Sequence, residues 1–233
     1  MVDNNLPQKD LIKKIVGDAR GAVGIRLCAI GVDLGIFEDL AKNGPATSQE
    51  LADRMSLDER YLREWGLGMF SLGYLDFDKV SRKISLNKEF IPVLVEEGGK
   101  FSQKGLIEIL NSSLLPYHEL LNSFKNGGGI NYDKIDKGFW NGIDQTGCTR
   151  YRHFLVTDWV DKMPELKSRL ETGSVTFADF GCGSGRSTVE MAKKFPKSQF
   201  FGFDLFEPNI ERAKKIALDA GVKNNLKFMQ WDV

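Results

Sequence analysis

Cysteine, histidine and net charge are what this sequence has least of. Its 233 residues include three cysteines and two histidines. Cys28, Cys148 and Cys182 are far apart and odd in number, so they form neither a disulfide framework nor a Cys-x-x-Cys pair. A reduced, cytoplasmic setting is expected. With only His118 and His153 available, no histidine-rich metal site is expected. Thirty-two basic residues balance thirty-two acidic ones, so the basic excess of a typical nucleic-acid binder is missing. No apolar run approaches the roughly 20 residues that a membrane-spanning helix needs. The start, MVDNNLPQKD, has no apolar core behind basic residues, so no secretory signal is expected. What is present, 42% hydrophobic and 27% charged residues, suits an ordinary soluble chain of one large or two small domains.

The first hundred residues read as helices ending in a hairpin. Leu11, Ile15, Ala19, Ala22, Val23, Leu27 and Ile30 recur at helical spacing from Asp10 into the thirties, with Arg26 the one polar intruder. A short helix follows Gly35 and stops at Asn43-Gly44-Pro45. Thr47-Ser-Gln-Glu50 is a capping box opening a helix over 48–55. Ser56-Leu-Asp-Glu59 reads as a second box, opening a helix over 57–72 whose buried face is assigned to Tyr61, Leu62, Trp65, Met69 and Leu72. Residues 74–78 and 83–87 alternate apolar and polar residues about a polar turn, the pattern of a β-hairpin. Three helices and a hairpin make the winged-helix order. Residues 101–124 read as helix broken near Pro116. Gly127-Gly-Gly129 is a loop or hinge, and 149–171 is helical again, with Pro164 suited to a first turn.

Beyond residue 174 the period changes. Short apolar strands at 175–180, 199–205 and 226–233 alternate with helices at 186–195, burying Val189, Met191, Ala192 and Phe195, and at 208–220, burying Ile210, Ala213, Ala217 and Ala220. Such a β-α-β-α-β run is half of a doubly wound parallel sheet. The expected fold class is therefore α/β, a mostly helical winged-helix domain followed by a Rossmann-like domain. The expected divisions are 1–97 (winged helix and dimerisation), 98–172 (helical linker and lid) and 173–233 (cofactor-binding half).

One constellation carries the chemistry. Asp179-Phe-Gly-Cys-Gly-Ser-Gly185 leaves the first strand and enters a helix. Glycines at 181, 183 and 185 let a ligand lie against the backbone and tolerate positive φ. The helix that follows is expected to offer free N–H groups and a positive dipole end. With Asp179 adding negative charge, the mixture suits a zwitterionic amino-acid end better than a pyrophosphate. Asp204 ends the second strand, 23 residues after Gly181, where a carboxylate can accept ribose hydroxyls. Asp232 ends the third, beside Trp231, where it can meet an adenine amino group. A dinucleotide fingerprint needs a third glycine or alanine, where Arg186 or Thr188 stands, and no Gly-Lys-Ser/Thr follows for a P-loop.

Asp179-x-Gly-Cys-Gly-x-Gly185 with Asp204 and Asp232 resembles the S-adenosylmethionine (SAM) site of class I methyltransferases. Gly31-x-x-x-Gly35-Ile-Phe, Glu50-Leu-Ala, Asp58-Glu-Arg-Tyr-Leu-Arg-Glu-Trp65, Gly73-Tyr74, and Gly127-Gly-Gly129 with Tyr132 resemble bacterial-type members that carry an N-terminal winged helix and are related to small-molecule O-methyltransferases. The resemblance implies that Gly181, Cys182, Gly183 and Gly185, with Asp179, hold the methionine end of SAM. It places Asp204 and Leu205 at the ribose, and Asp232 and Val233 at the adenine. S-adenosylhomocysteine (SAH) is the implied product. It also implies a homodimer through the N-terminal domain, a small-molecule acceptor with an O-, N- or C-nucleophile, and a seven-stranded sheet of which this chain has three strands. The domain is thus expected to be truncated, one edge of the first strand lacking a partner.

Several residues keep two readings. His153 is a candidate general base, against a packed or surface histidine. Tyr132, Phe139 and Trp140 are lid candidates, against a packed loop. Cys182 is read as a small turn-filling side chain rather than a reactive thiol. A winged helix also suits a transcriptional regulator, but residues 44–78 hold three arginines and seven acids, the wrong sign for phosphate contacts. A non-catalytic SAM-binding or dimerisation protein is the other alternative.

Overall fold

The computed structural model describes residues 7–113, 116–131 and 134–232. The chain forms two compact units, Met1–Gly142 and Ile143–Val233. The helical stretch 98–172 is therefore shared between them.

In the first unit, α1 (Gln8–Asp33) is followed by α2 (Ile36–Asn43), α3 (Ser48–Met55) and α4 (Glu59–Leu72). Strands β1 (Leu75–Phe77) and β2 (Ile84–Leu86) pair antiparallel as the predicted hairpin. Ala46 adds an antiparallel bridge to Ile84. The core gathers Cys28, Ile36, Phe37, Leu51, Met69 and Leu94. Gly31 is required here because a Cβ would lie 2.5 Å from the Phe37 ring and 2.7 Å from Trp65. The Trp65 indole N–H donates to the Leu27 carbonyl at 2.9 Å, so the one polar atom of this large side chain is satisfied. The Thr47–Glu50 capping box is present in both halves.

Three details depart from the sequence reading. Ser56 ends α3 in the left-handed conformation rather than capping α4. The cap of α4 is Asp58, which accepts from the Tyr61 amide. Tyr61 faces solvent, at 78% exposure, while Leu62, Trp65 and Met69 are buried and Leu72 half-buried. On α1 the buried positions are Gly24, Cys28, Ala29 and Gly31, whereas Leu11, Ile15 and Val23 are exposed. Helical spacing identified the helix but not which face is covered. The unit continues through α5 (Lys104–Ser113), α6 (Tyr117–Asn126) and the start of α7 (Lys137–Arg150).

In the second unit, α7 runs on into a π-helical segment, Tyr151–Val160, and then α8 (Pro164–Thr172), with Pro164 in the first turn as expected. β3 (Thr176–Phe180), α9 (Arg186–Lys194), β4 (Gln199–Asp204), α10 (Glu207–Asp219) and β5 (Leu226–Gln230) form a parallel sheet in the order β3-β4-β5. Phe177, Phe200 and Leu226 pack with Met191, Ala192 and Phe195, and Phe228 packs with Val189, Ile210 and Ala213, so α9 and α10 cover one face of the sheet. Phe180, Phe203, Met229 and Trp231 lie on the other face by strand alternation. There Phe180 stacks on Phe203 and Trp231 meets Phe203 edge-on. Among the described residues, β3 is paired along one edge only. Asn225 fixes the entry to β5, its amide donating to the carbonyls of Ala192, Phe195 and Ser198. α10 stops at Asp219, so Ala220 is a cap rather than a helix position.

Candidate functional site

The three strands deliver Asp179, Asp204 and Asp232 to one end of the sheet, and the glycine turn joins the first two. β3 ends at Phe180. The amides of Gly181 and Cys182 then both donate to the Phe203 carbonyl, at 2.8 and 2.9 Å, which folds the turn back over the end of β4. Gly183 donates its amide to Asp204 Oδ2 at 2.9 Å, and Gly185 closes on the Cys182 carbonyl at 2.9 Å. All three glycines have positive φ, between +55° and +73°, a region costly for residues with a Cβ.

The glycines do different work. A Cβ on Gly181 or Gly183 would meet nothing within 4 Å, so the surface over these two is open. A Cβ on Gly185 would lie 2.4 Å from Phe228 and 2.9 Å from Ala213. Gly185 is therefore the close-packing glycine between α9 and the sheet. Gly202 on β4 has the same role, since its Cβ would also reach Phe228 at 2.4 Å.

The turn uses more of its own donors than the sequence suggests. The amides of residues 181, 182, 183 and 185 are all bonded within the protein. Asp179 is engaged too: Oδ2 accepts from Ser187 Oγ at 2.8 Å and Thr188 Oγ1 at 2.6 Å, joining the strand end to the first turn of α9. Asp204 is buried at 7% exposure. Besides the Gly183 amide, it accepts from the Phe206 amide at 2.9 Å and Asn209 Nδ2 at 3.1 Å, both through Oδ1. A carboxylate has about four acceptor positions, so three are in use and one is left over. Leu205, the next residue, is half exposed. Asp232 is exposed just past β5, where the preceding Trp231 amide donates to the Asp204 carbonyl at 3.1 Å. Val233 and Tyr132 lie outside the described residues.

Burial pushes the Cys182 thiol up to about 12, and the carboxylates of Asp179 and Asp204 add to the shift. This cysteine remains a thiol at neutral pH and fills the turn. His153 sits half-buried in the π-helical segment, its ring edge-on to Phe154 and its carbonyl accepting from Thr157. Phe139 and Trp140 pair edge-to-face in the first unit. No group of three or more His, Cys, Asp or Glu suited to a metal occurs among the described residues.

One participant carried no sequence signal. Asp144 of α7 accepts a two-pronged pair from Arg186, Nε to Oδ1 at 3.1 Å and Nη2 to Oδ2 at 2.8 Å, and also accepts from the Ser184 hydroxyl. Burial opposes its charge. The bonds from Arg186 and Ser184, with the charges of Arg186 and Arg212, outweigh that and hold the carboxyl below its usual range. No motif links residue 144 to residues 184 and 186. Only the fold brings them together.

A β-α-β-α-β sheet with a glycine turn and buried acid defines a Rossmann-like domain behind a winged helix. The comparisons match both segments. Residues 21–95 match the Rv2258c-like winged HTH domain, and residues 171–233 match a methyltransferase domain. The chain thus joins a winged-helix segment to the start of a methyltransferase domain. The riboflavin-analogue enzyme N,N-8-amino-8-demethyl-D-riboflavin dimethyltransferase of Streptomyces davawensis has a similar fold, with TM-score 0.63 and 17% identity over 98% of this chain and 68% of that one. So does PigF, solved with SAH, with TM-score 0.66 and 15% identity over 97% of this chain and 67% of that one. Among curated relatives, a tRNA (guanine-N(7)-)-methyltransferase of Aliivibrio fischeri (strain MJ11) is 32% identical over 75 residues, 32% of this chain and 31% of that protein. The chain spans 65% of the first solved structure it resembles and a smaller share of the curated relatives.

Proposed function

We propose that this chain is the SAM-binding part of a methyltransferase that acts on a small-molecule acceptor. One observation carries the reading. Asp204 is a buried carboxylate with one acceptor position left, bonded directly to a glycine turn whose outer surface at Gly181 and Gly183 is open. That is a cradle for a ribose beside an amino-acid chain. In it Asp204 and Leu205 would hold the ribose, Gly181, Cys182, Gly183 and Gly185 with Asp179 the methionine end, and Asp232 and Val233 the adenine. SAM supplies an activated methyl on a sulfonium. The protein's part is alignment and exclusion of water. Fold relatives that act on a riboflavin analogue or were solved with SAH support this choice of cofactor and acceptor class.

The same reading includes a cytoplasmic homodimer. Leu11, Ile12, Ile15, Val16 and Val23 are exposed along α1, an apolar stripe that association would bury. The three free cysteines suit a reducing compartment.

Isothermal titration of the intact protein with SAM and SAH tests the cofactor. Micromolar affinity, about −8 kcal/mol, is expected for at least one of them, and the absence of heat with either would end the reading. Size-exclusion chromatography with light scattering tests the dimer.

A further inference from the structure

The turn over Gly181–Gly185 is held from two sides. On the sheet side, Phe203 and Asp204 take the amides of residues 181, 182 and 183, and Phe228 fills the space against Gly185. On the other side the hold comes from outside the β-α-β run. Asp144 accepts from Ser184 and from both prongs of Arg186, the residues that flank Gly185. Both side chains of the pair are largely shielded, Arg186 at 29% and Asp144 at 15% exposure. A planar guanidinium on a carboxylate is among the stronger and more directional pairs. Three positive-φ glycines in five residues make a backbone with many alternatives. Such a turn keeps one shape only where its surroundings over-determine it.

We infer that Asp144 is a positioning residue for this turn, fixing Ser184 and Arg186 so that the open backbone at Gly181–Gly183 keeps the shape that receives the amino-acid end of the cofactor. The inference rests on the reading of the turn as a SAM site. Asp144 acts through the turn and does not touch the ribose acid: Asp204 draws its partners from Gly183, Phe206 and Asn209. Only Gly183 of these lies in the turn, so loosening Asp144 should weaken the hold on the amino-acid end of the ligand more than that on the ribose.

The experiment compares the intact wild type with Asp144→Asn and Arg186→Lys. Asn keeps the shape but loses the charge, and Lys keeps the charge but loses the two-pronged geometry. Each protein is titrated with SAH, which has the amino-acid end, and with adenosine, which lacks it, adenosine by ligand-observed NMR. Amide exchange of residues 181–188 is followed without ligand. The expected result is SAH affinity at least tenfold weaker in both variants, adenosine affinity changed less than threefold, and faster exchange across the turn. Equal losses for SAH and adenosine would overturn the inference, because they mark general damage to the site. Unchanged SAH affinity in both variants, with the wild type binding, would also overturn it while leaving the cofactor reading intact. A wild type that binds neither ligand would sink the cofactor reading and this role with it. Faster exchange in Asp144→Asn alone would then mark the pair as structural only.

Discussion

Gly185→Ala separates the two kinds of glycine in the turn. Alanine at φ +71° adopts the left-handed region, a backbone cost of roughly 1–2 kcal/mol. Its Cβ would also lie 2.4 Å from Phe228 and 2.9 Å from Ala213. These are buried ring and helix atoms, so the neighbours must shift, at a further 1–3 kcal/mol or about that for overpacking. Together the change removes about 2–5 kcal/mol, a large part of the roughly 5–15 kcal/mol that holds a domain folded. Gly181→Ala is the control. Its φ is +73° but nothing lies within 4 Å of the added carbon, so only the backbone cost of about 1–2 kcal/mol applies. The assay is amide exchange of peptides spanning β3, β4 and β5 at increasing urea, which reports the second unit without the signal of the first. Gly185→Ala should shift the unfolding midpoint markedly more than Gly181→Ala. SAH affinity should show the reverse emphasis at Gly181, where the surface is open for a ligand. Equal midpoints for the two variants would refute the assignment of Gly185 to packing.

Four further outcomes are expected. Asp204→Asn should destabilise the second unit by about 1–3 kcal/mol, because an amide cannot accept through both oxygens and leaves a buried donor unpaired; urea unfolding measures it, and SAH affinity should fall as well. Iodoacetamide at pH 8 should leave Cys28 and Cys182 unmodified in the folded protein, since burial raises their thiols to about 11 and about 12; mass spectrometry of the peptides reads this, with half-buried Cys148 the first to react. The Asp144 carboxyl lies below its usual range, so its folded form favours the ionised state. Its stabilising effect is complete above the unfolded value near 4 and is lost as pH falls below that; exchange across residues 181–188 should therefore stay constant from pH 7 to 5 after correction for intrinsic rates. Trp65→Phe should cost about 1 kcal/mol for the lost bond to Leu27, seen as a lower midpoint in the first unit alone.

Local signals made most elements legible. Capping chemistry at Thr47–Glu50, the alternation about residues 75–86 and the strand-helix alternation after 174 each depend on near neighbours, and each is found where the sequence puts it. The glycine turn and Asp204 were legible for the same reason, since a turn between a strand and a helix needs its glycines whatever surrounds it. Where two local solutions compete, as at Ser56 and Asp58, the cap lies two residues later than the sequence reading put it, and Tyr61 faces outward. Only packing against the rest of the unit selects between them.

By itself the sequence determined the order of elements, the winged helix ahead of a parallel sheet, and the acids carried to the strand ends, because period, capping and turn chemistry act over a few residues. The tertiary structure decided what each group does there. It made Gly185 a packing residue while Gly181 and Gly183 stay open, because Phe228 crosses from β5. It spent three of the acceptor positions on Asp204 inside the protein. It set Asp144, forty residues before Ser184, against the turn, a pairing that only the folded second unit makes and that leaves no trace in spacing or composition.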